Sequence, residues 1–271
     1  MRIAILLVAV LLSWIAIERT DFSLSKISAP LMQKQIEVLP FEIEKMLSQP
    51  FHYLGQGRQA FVFVSEDGKV VLKFFNAKYL QMPWYGSLPF WKDKETLKRQ
   101  KRREFYAESY LLAQERMKEE TGILYVHLGK TDRPLTAVSL KDKASRLFQI
   151  DLNQIPFVLQ KRGEPFYPKL TKENLSETID SFLQLIAKRI SYGIADADHD
   201  VEHNFGWLEG KLLHLDPGRF SLLERLDDPK RIEQEWWSAT HRFRLWLQKH
   251  HPECISFFDA KRNDLQEMVS K

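Results

Sequence analysis

Gly193-Ile-Ala-Asp-Ala-Asp-His-Asp-Val-Glu-His-Asn-Phe-Gly-Trp-Leu-Glu-Gly-Lys-Leu-Leu-His-Leu-Asp-Pro-Gly-Arg-Phe220 is the stretch on which the reading of this chain turns. Asp198, Asp200, Asn204 and Asp216 stand out in it at short spacing. Between Asn204 and Asp216 the pattern is that of a hairpin: Phe205 to Leu208 as one strand, Glu209-Gly210 as the turn, Lys211 to Leu215 as the return. Gly210 supplies the positive-φ position that such a turn needs. A hairpin brings its two ends together, so Asn204 and Asp216 are expected side by side. A carboxamide oxygen and a carboxylate in that arrangement suit a hard cation such as magnesium. Asp216-Pro217-Gly218 then stops the strand and turns the chain.

Working outward toward the N-terminus, residues 51–75 alternate short apolar runs with turns. Phe51 to Leu54 leads into Gly55-Gln56-Gly57, Phe61 to Val64 follows, and after the Glu66 to Lys69 turn comes Val70 to Phe75. This predicts a three-stranded antiparallel meander. Lys73 is a cation inside an apolar strand and requires an anionic or dipolar partner if it points inward. Lys92 to Arg103 is a basic run opening a helix expected to continue through Glu120. That run reads as a solvated face, or as a surface for an anionic partner. Phe105, Leu111, Leu112 and Met117 mark its apolar stripe, and Glu104 and Glu108 lie one turn apart. Residues 123–128, 136–140, 146–150 and 156–160 are further strand candidates. Leu175 to Ser191 is a helix with a broad apolar face, and residues 229–251 form one or two more.

The chain has 271 residues, 44% of them apolar, which suffices for a full core. With 40 Lys+Arg against 36 Asp+Glu, the net charge of +4 is too small to point to nucleic acid. The single cysteine, Cys254, excludes an internal disulfide and any zinc site built on paired cysteines. Residues 3–17 are apolar apart from Ser13. As a helix they reach about 22 Å, short of a hydrocarbon core of roughly 30 Å, which suits a signal-peptide core or a short membrane anchor. Membrane association through this segment, or export, is the localisation it implies.

The stretch from Asp198 to Gly218 resembles the catalytic loop and metal-binding motif of the protein-kinase-like fold. In that family an Asp precedes an Asn by about five residues, and an Asp-Phe-Gly follows roughly a dozen residues later. Asn204 and Asp216 take the two later positions. Asp200 lies one residue too close and Asp198 one too far, so the resemblance is to small, atypical members. It implies a two-lobed α+β fold, an antiparallel N-terminal sheet with one helix and a mainly helical C-terminal lobe. The boundaries expected are 1–19 for the apolar segment, 20–45 for a linker, 46–162 for the small lobe and 163–271 for the large lobe. It further implies that Gly55 and Gly57 cover the phosphates of ATP, with Ala60 where a third glycine would stand. Lys73 would hold the α- and β-phosphates, paired with Glu108 or else Glu104. Asn204 and Asp216 would bind Mg²⁺, and Asp198 or Asp200 would act on an acceptor hydroxyl. An ATP- and Mg-dependent phosphotransferase is one reading, with an unknown acceptor. A catalytically inactive, membrane-tethered binding module on the same fold is the alternative. A third reading takes Asp198, His199, Asp200, His203, His214 and Asp216 as a transition-metal hydrolase site.

Overall fold

The structure is a computed structural model that describes residues 22–33, 36–223 and 228–269. Residues 3–17 lie outside it. Among the described residues no helix is long and apolar enough to cross a membrane.

The N-terminal half is a seven-stranded sheet. Its centre is the expected meander, β1 (Phe51–Gln56), β2 (Ala60–Ser65) and β3 (Val70–Phe75), all antiparallel. The later strands are β4 (Ile123–His127), β5 (Val138–Lys141), β6 (Leu147–Ile150) and β7 (Phe157–Lys161). They join on both sides to give the order β4-β7-β3-β2-β1-β5-β6. One contact departs from the antiparallel pattern, since β1 and β5 run parallel. Strand alternation sends Phe63, Leu72, Phe74, Phe157 and Leu159 to one face, where they are fully buried. Phe22, Ile27, Leu39, Ile43 and Leu47 pack on that face too. Phe22, Ile27, Leu39 and Ile43, the last on helix α1 (Phe41–Leu47), come from the segment 20–45 expected as a linker, and they cover a sheet face that would otherwise be wet.

The opposite face carries Val71, Lys73 and Phe75 and looks toward the C-terminal half. Across it runs α3 (Pro89–Arg116), preceded by the short α2 (Ala77–Leu80). The α3 helix ends at Met117, and a separate turn α4 (Lys118–Thr121) closes on Gly122 at φ 67°. The basic run is not simply a solvated face. Arg99, Arg102 and Arg103 donate to the carbonyls of Lys78, Tyr79 and Leu80, the last carbonyls of α2. A helix end has no intrahelical donors for these groups, so the three guanidinia supply them.

After β7 the chain crosses to the second half through β8 (Glu164–Pro165) and enters α5 (Leu175–Ser191). Phe182, Leu183, Ile186 and Ile190 are buried along α5. Beyond it come β9 (Ile194–Asp196), α6 (Val201–Asn204), β10 (Phe205–Leu208), β11 (Lys211–His214) and β12 (Phe220–Leu222). Helices α7 (Pro229–His250) and α8 (Ile255–Val269) complete the lobe. A single apolar cluster unites α5, α7 and α8 with Tyr106, Tyr110 and Ala113 of α3 and with Phe75 and Val158 of the sheet. The fold is thus two-lobed and α+β, with α3 wedged between the lobes.

Candidate active site

The hairpin forms as read. Phe205 pairs with His214 and Leu208 with Lys211, and the turn is made by Glu209 and Gly210 at φ 51° and 80°. One step beyond the ladder, Leu215 N donates to Asn204 O at 2.6 Å. Asn204 and the residue before Asp216 are therefore fastened directly together. Asn204 is buried, and its Nδ2 donates to Asp198 O at 3.0 Å, which leaves Oδ1 as the free end of the amide.

Lys73 reaches this place from the sheet. Val62 and Val158 flank it in register on the neighbouring strands, and its Nζ donates to Leu215 O at 2.7 Å. Burial pushes its pKa down, and the negative charge of Asp216 acts in the opposite direction. Gln160 Nε2 donates to the same carbonyl at 3.0 Å. The lysine of the early meander and the acidic end of the later hairpin thus share one cleft.

Glu108 does not take the place the resemblance implied. It is exposed, as is Glu104, which accepts from Gln100 within the helix at 2.9 Å. Two residues along an α-helix is about 200° of rotation, so the inward position belongs to Tyr110. Its hydroxyl donates to Asp216 Oδ1 at 3.3 Å. Burial and the Asp216 charge raise the Tyr110 pKa well above its usual value, so it remains a donor. The buried stripe of α3 is Tyr106, Ala107, Tyr110 and Ala113. Phe105, Leu111 and Leu112 are only half-buried. Counting tyrosine and alanine as stripe residues would have found it.

The two candidate bases differ in what already holds them. Asp200 is the N-cap of α6: its Oδ1 accepts from Glu202 N and His203 N at 3.1 and 3.4 Å, and its Oδ2 faces His203 Nδ1 at 2.9 Å. Asp198 is half-buried. Its Oδ1 accepts from Asp200 N at 3.3 Å, and its Oδ2 lies 3.9 Å from Arg219 Nε. Beneath both lies Asp196, whose Oδ1 accepts from Asp198 N at 2.9 Å and whose Oδ2 lies 3.3 Å from His214 Nε2. Asp196 N in turn donates to Glu235 Oε1, which also holds the buried Arg189 at 2.7 Å. Burial alone would raise the Asp196 pKa. The adjacent His214 imidazole, with the charge of Arg189, outweighs it and lowers the value. His214 thus faces Asp196 and His203 faces Asp200, in two separate pairs. Among the described residues no group of three or more His, Cys, Asp or Glu is placed to hold a metal.

Gly55 and Gly57 have nothing within 4 Å of an added Cβ. Gly57 N donates to Ala60 O at 2.9 Å and closes the turn. The side chain that reaches down from this turn is Gln59, which is buried. With its amide oriented to suit its neighbours, Nε2 donates to Gly218 O at 3.2 Å and Oε1 accepts from Arg219 Nε at 3.3 Å. An added Cβ on Gly218 would lie 2.6 Å from that amide, so the approach of Gln59 requires this glycine. Gly163 and Gly206 serve another contact. Cβ atoms there would lie 2.8 and 2.4 Å from the Leu215 side chain, which nestles between the crossing strand and the hairpin. Neither Gln59 nor these two glycines carries a motif by which sequence could single them out. A cavity of about 780 Å³ lies elsewhere, between Arg162, Glu164, Thr178 and Trp207, and neither Lys73 nor Asp216 lines it.

No family model matches this chain, and no curated protein does. Among solved structures it is similar to the ROP18 kinase domain in complex with AMP-PNP and sucrose. There the identity is 16%, the TM-score 0.39, and the match covers 69% of this chain and 59% of that one. It is also similar to WbdD in complex with a kinase inhibitor, at 14% identity and a TM-score of 0.40, covering 80% and 45%. The chain thus spans less than two thirds of either structure. The order turn, lysine strand, helix, crossing strand, aspartate loop and hairpin is the one that the resemblance to the protein-kinase-like fold implied.

Proposed function

We propose that this protein is an ATP- and Mg-dependent phosphotransferase. The observation that carries the reading is the convergence of Lys73 on Leu215 and Asp216 with Asn204 fastened alongside. A buried ammonium beside a carboxylate and a carboxamide oxygen is a donor set suited to a polyphosphate and its hard cation. Asn204 Oδ1 and Asp216 are the residues that would hold Mg²⁺, and the ion supplies positive charge against the phosphates when bound. Lys73 neutralises phosphate charge from the sheet side. Asp198 is the better-placed base, because Asp200 is committed to its cap and to His203. The acceptor hydroxyl oxygen bonds to the γ-phosphorus of ATP as the bond to the β–γ bridging oxygen breaks. ADP leaves, and the hydroxyl proton passes to Asp198.

The test is nucleotide binding and transfer on the full chain. Wild type binds ATP in a Mg-dependent way, Asp216→Ala loses that dependence, and Asp198→Ala keeps binding while losing γ-phosphate transfer. Absence of Mg-dependent binding in wild type sinks the reading. A second reading, a binding module without transfer, has one observation in its favour: Glu108 faces solvent, so Lys73 lacks the carboxylate partner that the resemblance implied. Binding in wild type without transfer to any acceptor would select it. Tethering through residues 3–17 belongs to either reading.

A further inference from the structure

A cavity of about 290 Å³ opens beside the cleft, lined by Arg58, Tyr79, Lys101, Arg102, Tyr106 and Arg219, with Phe105 at its edge. Four cations from three separate elements meet there: the glycine turn, α3 and the residue after Gly218. No acidic side chain lines it. Arg102 is held in place by Tyr79, donating to its carbonyl at 3.4 Å with its guanidinium 5.5 Å from the ring centroid. The fields of Arg102, Arg219 and Arg58 all act on the buried Tyr106 hydroxyl, which shows how closely the three converge. Four like charges with only the Asp198 carboxylate at their edge repel one another, so the arrangement is stabilised by an anion that enters it. Guanidinium–phosphate contacts are charge-assisted and geometrically specific.

Arg219 links this cavity to the chemistry. The same guanidinium that lines it has Nε 3.9 Å from Asp198 Oδ2. A molecule with its anionic group among these cations therefore extends naturally toward Asp198. We infer that the acceptor is a small hydroxylated phosphate ester, its phosphate held by Arg58, Lys101, Arg102 and Arg219 and its hydroxyl directed at Asp198. This rests on the phosphotransferase reading above for the word acceptor, but not for the binding of the ester.

The experiment is calorimetric titration of the full chain with glycerol 3-phosphate, glycerol, inorganic phosphate and a phosphoserine peptide. Titration with Mg-ATP is run on the same preparations. The ester is expected to bind at least about tenfold more tightly than glycerol, and the double variant Arg58→Gln, Lys101→Gln to lose about tenfold of that affinity. Both residues are exposed, so the variant is expected to fold; Arg219→Gln tests the link to Asp198 and weakens the ester further. Equal affinities for ester and glycerol, or a double variant that binds the ester like wild type, overturn the proposal. So do inorganic phosphate binding as tightly as the ester, which marks a plain anion site, and a phosphopeptide binding more tightly. Ester binding without Mg-ATP binding removes the phosphotransferase reading and leaves the pocket, and the reverse removes only the pocket.

Discussion

The aspartate loop and its hairpin contain two Asp–His pairs of the same chemistry in opposite surroundings. The side chains of Asp196 and His214 are 4% and 1% exposed, while those of Asp200 and His203 are 38% and 74% exposed. The inner pair continues into Glu235 and Arg189 and has no water to fall back on. The outer pair adds a charge contact to a helix cap that water could replace at small cost. An ion pair's worth follows from what each partner meets when the other is removed, and burial decides that. Asp198 lies between the two, braced by the inner aspartate through its N–H and bracing the outer one through its Oδ1. The inner pair thus reads as scaffold and the outer as cap, and Asp198 is the aspartate that the proposed transfer would use.

The largest effect should come from breaking the inner pair. Asp196→Ala leaves the buried His214 and the Asp198 N–H short of a partner, and chemical denaturation should show a loss of about 3–5 kcal/mol. A loss similar to that of the outer pair would mean that the two surroundings are equivalent after all. Acid sharpens the same contrast. The Asp196 pKa is lowered in the folded state, so its contribution is fully present above the unfolded value and is lost as pH falls through the folded one. The stability gap between wild type and Asp196→Asn should therefore narrow as pH is taken from about 6 to about 3. A gap that widens in acid contradicts the assignment.

For the outer pair, Asp200→Ala removes the acceptor for two N–H groups of α6 and should cost about 1 kcal/mol. His203→Ala, which leaves the cap intact, should cost no more than about 0.5 kcal/mol and less still at high salt. Hydrogen exchange at Glu202 and His203 separates the two variants, since only the first should lose protection. The smallest change in stability belongs to Asp198→Asn, which keeps an acceptor for Asp200 N. Its melting temperature should be close to wild type while γ-phosphate transfer is lost. Retained transfer would return Asp200 to consideration as the base.

How much of this was legible beforehand depends on the range over which each signal acts. The hairpin from Phe205 to His214 could be read because a turn pair and flanking apolar residues are local and sufficient. The meander and α5 were readable for the same reason, whereas the direction of Lys73 on β3 was left open. Glu108 was misplaced because an Glu four residues from another says nothing about which side of a helix the rest of the molecule will occupy. The true stripe of α3 is built from tyrosine and alanine, whose burial depends on the neighbours they find. The role of the basic run was equally hidden, since three arginines act on carbonyls of a different helix. Asp196 was passed over because a buried aspartate and a surface one look alike until Glu235, far along the chain, is brought to it.

Sequence alone determined the local elements here, their order, and the two polar clusters that converge, because turn chemistry and residue periodicity act over a few positions. Only the tertiary structure decided which aspartate is buried, which caps and which lies between them, and that Tyr110 rather than Glu108 takes the inward position on α3. Those outcomes depend on helix rotation and on desolvation by distant segments, and neither quantity exists before the chain has packed.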